Sequence, residues 1–92
     1  MNGTAVYLIA FSSYYKAAYA QETLMRYKIR TSLRKVPPGL LQSCGYGITL
    51  RTDGTEGLKQ ALRLLNEKDI RNQGVFVVRK DQATTVYDRI YL

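Results

Sequence analysis

Residues Ala5-Val6-Tyr7-Leu8-Ile9-Ala10-Phe11 are apolar without a break. A strand with one wet face alternates apolar and polar side chains, so a short continuous run rich in β-branched and aromatic residues reads as a strand covered on both faces, in the middle of a sheet. Such a strand needs a neighbour on each side and a covering layer. With 92 residues, the chain has to build both around one modest core, because a domain of about 100 residues supports no second one. The expectation is one domain over residues 1–92, without a linker.

The covering layer is legible as two helices. Ser12 and Ser13 end the first strand and can cap a helix from about Tyr14 to Tyr27, in which Ala17, Ala20, Leu24 and Tyr27 share a face. Leu58, Ala61, Leu62 and Leu65 recur at i, i+3, i+4 and i+7, which predicts a second helix over about 55–67. Asp53 and Glu56 before it have the spacing of a capping box. Between the helices, Ile29 to Val36 reads as an exposed edge strand stopped by Pro37-Pro38-Gly39, which lacks ladder donors. Tyr46, Ile48 and Leu50 alternate with Gly47, Thr49 and Arg51, the pattern of a strand with one face in the core.

Val75 to Val78 forms another continuous apolar strand after Asn72-Gln73-Gly74, and Thr84 to Tyr91 a fifth after the polar turn 80–83. The order βαββαβ plus a C-terminal strand is the α+β, ferredoxin-like split βαβ pattern, an antiparallel sheet with two helices on one face. The fourth strand usually lies at an edge. Its apolar run here calls for partners on both sides, so the predicted order is 2-3-1-4-5 with residues 80–92 closing a C-terminal hairpin.

Composition narrows the function classes. No stretch reaches the roughly 18 apolar residues of a membrane span. The first apolar run lacks the basic leader and cleavage site of a secretory signal, so a cytoplasmic location is the default. Histidine is absent and cysteine occurs once, which removes the commonest general base and any zinc or iron–sulfur site within one chain. No phosphate-cradling glycine loop is present beyond the unspecific Gly45-Tyr46-Gly47. A complete enzyme is therefore not expected. The net charge is +7, and the excess lies in the first half, where six basic residues face only Glu22; this favours acidic partners, or serves solubility alone. Nucleic-acid binding is not expected: the eight tyrosines invite it, but the aromatic and basic signature of RNA-binding sheets is missing. A sheet face bearing Tyr46, Ile48 and Leu50 could instead pair two copies as a homodimer.

The remaining candidate is Cys44, set in Gln42-Ser43-Cys44-Gly45 after the prolines and before a strand. Gly45 lets the backbone turn and keeps the sulfur side uncrowded. Ser43 can donate a hydrogen bond to a thiolate or simply form the turn. Arg34, Lys35 and Arg51, on the flanking strands, are candidates to favour the anion and to dock an acidic partner. Two readings stand side by side, a functional thiol and a cysteine that is a small core hydrophobe. In the second, the protein is a non-catalytic interaction or regulatory module that dimerises or binds a small ligand.

Tyr7 to Ser13, Val36-Pro37 and Ser43 to Arg51 together resemble the selenium/sulfur carrier-like family, over about residues 5–79. The resemblance implies that Cys44 carries sulfur or selenium as a transient persulfide or selenosulfide between donor and acceptor proteins, with no resident cofactor and no metal. It leaves the tail from Lys80 outside.

Overall fold

A computed structural model describes residues 4–41 and 45–91. Its elements are β1 (Thr4–Phe11), α1 (Tyr14–Met25), β2 (Ser32–Lys35), β3 (Tyr46–Asp53), α2 (Gly54–Glu67), β4 (Gly74–Asp81) and β5 (Thr84–Ile90). They form one antiparallel sheet in the order β2-β3-β1-β4-β5. This is the ferredoxin-like α+β arrangement expected, with the fifth strand beside the fourth.

Register decides which face is which. Tyr7, Ile9 and Phe11 of β1 lie opposite Leu50, Ile48 and Tyr46 of β3. These residues turn to the helices, where Ile9, Phe11 and Ile48 are buried with Ala17, Ala20 and Leu24 of α1 and Leu58, Ala61 and Leu65 of α2. A sheet face that offers Ile48 and Leu50 for dimerisation therefore does not exist, because both belong to the main core. The opposite face carries Leu8 and Ala10 of β1 with Phe76 of β4, covered by Val36, Leu40 and Leu41 of the segment that follows β2. The continuous apolar run of β1 thus serves two separate clusters.

The helix ends depart from expectation in instructive ways. Ser13 caps α1 as expected, its Oγ accepting from the Lys16 N–H at 3.2 Å. The helix stops at Met25 rather than Tyr27, and Tyr27 is exposed. Lys28 takes a left-handed conformation with φ 64°, while the N–H groups of Lys28 and Ile29 donate to the carbonyls of Met25 and Leu24. That is a Schellman closure without glycine. α2 ends the same way, with Asp69 at φ 58° and the Ile70 N–H donating to Leu65. In each case the isoleucine that follows packs on the core.

At its start, α2 has no capping box. Asp53 is still a strand residue paired with Thr4, and its carboxylate accepts from Thr4 Oγ1 at 3.1 Å instead of from the helix. The edge strand β2 is also shorter than its sequence suggested, because pairing with β3 begins only at Ser32 opposite Thr49.

Candidate functional site

The chain enters β3 at Gly45, and the surroundings of this residue define one end of the sheet. The Val36 N–H donates to the Gly45 carbonyl at 3.0 Å, closing the β2–β3 connection. A Cβ at position 45 would lie 2.5 Å from the Phe11 carbonyl oxygen and 3.0 Å from Leu41 Cδ1. Close packing against the exit of β1 demands glycine here. Phe11 is only two residues from Ser13, so the N-terminus of α1 opens at the same end of the sheet. No acidic residue stands in its first turn, which leaves the partial positive charge of its free N–H groups uncompensated. The Tyr14 ring sits edge-on to Tyr46 at 5.4 Å and to Tyr15 at 5.8 Å, forming an aromatic cluster at the start of β3.

The expected site residues distribute unequally about this end. Cys44 and Ser43 lie outside the described residues. Lys35 pairs with Tyr46, next to Gly45, and Arg34 pairs with Gly47; the two side chains leave β2 on opposite faces. Both are exposed. Arg51 does not join them. It lies six residues along β3 from Gly45, about 20 Å of extended chain, opposite Val6 at the far end of the sheet. The strand between them separates Arg51 from Gly45 in space, although the two are close in sequence. The α1 N-terminus and the Tyr14–Tyr46 pair are the features nearer Gly45, and the sequence signal for them was the Ser12-Ser13 exit from β1.

Arg51 instead belongs to a second feature, on the sheet face away from the helices. A groove of about 950 Å³ runs over Val6, Val78 and Tyr87 and is rimmed by Arg30, Arg34, Arg51 and Lys80. Among the described residues none of these four cations is in a salt bridge; the ion pairs are Arg26–Glu22, Arg71–Asp69 and Arg79–Asp88.

Fold and surface together are those of a small ferredoxin-like α+β domain with a tight glycine entry at one end of its sheet and a cationic face. The chain belongs to the Putative Se/S carrier protein-like family, whose model matches residues 6–77. No curated protein and no solved structure matches it. The matched stretch includes Ser43-Cys44-Gly45 and ends within β4, before β5. None of the helices described is long and apolar enough to cross a membrane.

Proposed function

We propose that the protein carries sulfur or selenium on Cys44 and delivers it to an acceptor enzyme. The observation that carries this reading is membership of a Se/S carrier-like family across the segment that contains the cysteine. The geometry next to it in the chain is compatible: Gly45 is packed on the residue that leads into the α1 N-terminus, and helix N-termini and lysines both favour the thiolate, the reactive form of cysteine. In the loading step, Cys44 thiolate attacks the terminal sulfur of a donor persulfide R–S–SH. A new S–S bond forms to Cys44, the old S–S bond breaks, and R–S⁻ leaves and takes up a proton from water. A selenosulfide donor R–S–SeH reacts equivalently at selenium. No net oxidation occurs, so no further redox partner is required, and delivery repeats the exchange with an acceptor thiol.

In this reading the role is non-enzymatic, depends on donor and acceptor proteins, and suits the reducing cytoplasm, where a free thiol persists. The test is intact mass after incubation with a low-molecular-weight persulfide, alongside the pH dependence of Cys44 alkylation in the native protein. Gain of one sulfur atom by the wild type and none by Cys44→Ser, with fast alkylation at neutral pH, is the expected result. A thiol that reacts only once the protein is unfolded would overturn the proposal.

A further inference from the structure

The open face of the sheet has an unusual distribution of charge for a surface with an apolar floor. The segment 36–41 folds over Leu8, Ala10 and Phe76 but leaves the next row, Val6, Val78 and Tyr87, lining the groove. That row is paired across three strands, Val6 with Val78 and Val78 with Tyr87. Arg51 pairs with Val6 on one side, and Lys80 lies one same-face step along β4 from Val78. Because β1 separates β3 from β4 and Lys80 lies two residues beyond Val78, the backbone positions of these two cations are about 12 Å apart across the floor. Arg34 on β2 and Arg30, two residues before that strand, extend the rim. The nearest carboxylate on this face, Asp53, is engaged by Thr4.

Hydrogen-bonding capacity at the groove is also unused. Thr31 lines it, and its buried hydroxyl has no partner among the described residues. Buried polar atoms are normally satisfied.

We propose that this groove docks an extended acidic polypeptide segment with interleaved apolar residues, presented by a partner protein. Carboxylates on alternate residues of an extended chain lie about 7 Å apart, a spacing that long Arg and Lys side chains on the rim can meet, while the apolar residues rest on the Val6–Val78–Tyr87 floor. Charge complementarity supplies the attraction and the orientation. Single-stranded nucleic acid fits less well, since Tyr87 is the one aromatic side chain lining the groove among the described residues and base stacking needs a platform. The partner's role as sulfur donor or acceptor rests on the carrier reading; docking itself does not, because the groove lies toward the opposite end of β3 from Gly45.

The experiment uses the full chain and a fluorescein-labelled ten-residue peptide in which Glu and Val alternate, followed by anisotropy and by amide shifts in NMR. Binding is expected to weaken at least tenfold in the double variant Arg51→Glu, Lys80→Glu, and at least tenfold when the peptide's Glu residues become Gln. It should change less than twofold in Lys59→Glu, Arg63→Glu on the exposed face of α2, and not at all in Cys44→Ser. The neutral pair Arg51→Gln, Lys80→Gln, with its NMR spectrum checked for native dispersion, separates loss of docking from loss of fold. Shifts should concentrate at Val6, Thr49, Val78 and Tyr87. Equal losses for the α2 variant would reduce the binding to general attraction by a +7 chain and overturn the proposal. So would tighter binding of an oligothymidylate with the same dependence on Arg51 and Lys80, which would make the groove a nucleic-acid site. Failure of sulfur loading at Cys44 with docking intact would remove the carrier reading alone.

Discussion

Gly45→Ala is the substitution whose cost follows most directly from the geometry. The new methyl carbon would stand 2.5 Å from the Phe11 carbonyl oxygen, whereas carbon and carbonyl oxygen approach comfortably to about 3.3 Å. Roughly 0.8 Å must therefore be found by moving atoms. The Phe11 oxygen cannot yield cheaply. It is backbone, its residue is paired with Tyr46, and the carbonyl one residue earlier, on Ala10, is held by the Gln73 N–H at 2.7 Å. Leu41 Cδ1, at 3.0 Å, closes the other side. Overpacking of this kind costs about 1–3 kcal/mol, and a backbone obstacle puts the change in the upper half of that range. A domain of this size has total stability of about 5–10 kcal/mol. With a urea m-value near 1 kcal/mol/M, the unfolding midpoint should fall by about 2 M at unchanged m. Gly39→Ala is the control, for φ is +90° there and nothing lies within 4 Å, so only the left-handed backbone term of about 1 kcal/mol remains. A loss below about 0.5 kcal/mol in Gly45→Ala, the range of an ordinary surface change, would refute the claim that the β1 exit and the β3 entry are held in contact.

Two further outcomes test the frame around the site. Lys28→Gly and Asp69→Gly should each stabilise the protein by about 0.5–1 kcal/mol in urea unfolding, since both residues bear the left-handed strain that glycine avoids at a Schellman closure. Arg79→Ala should cost no more than about 1 kcal/mol, and less at high salt: its Nε donates to Asp88 Oδ2 at 2.8 Å, but both side chains are about half exposed.

The strand order was legible because two continuous apolar runs, Ala5 to Phe11 and Val75 to Val78, each call for neighbours on both sides, and only 2-3-1-4-5 satisfies both with short connections. The same continuity hid the faces. A run apolar at every position carries no phase, so nothing in β1 says which of Leu8 or Ile9 meets the helices; register with Ile48 settles it. The helix stops at Lys28 and Asp69 were invisible for a different reason, because neither is the glycine or asparagine that marks a left-handed residue. The cations named from the sequence separate in space: Lys35 pairs with Tyr46, beside Gly45, whereas six residues of strand, a short walk in sequence, carry Arg51 most of the sheet's length away.

That separation divides two tasks that sequence proximity had merged. Cations beside a thiol lower its pKa, and cations on a docking face capture a partner; one residue does both only if thiol and face coincide. Here the tight entry of β3 next to Cys44 and the cationic groove lie toward opposite ends of the same strands, with segment 36–41 packed over the sheet between them. Under the proposed carrier and docking roles, Lys35 and the α1 N-terminus are assigned to reactivity, and Arg30, Arg51 and Lys80 to capture, with Arg34 standing where the two regions meet. Reversing charge at Arg51 and Lys80 should weaken partner capture and leave the alkylation rate of Cys44 unchanged. Reversing Lys35 should slow alkylation and leave capture intact. Were Arg51 to control the alkylation rate, the six-residue separation along β3 could not be correct, and the division of labour would fall with it.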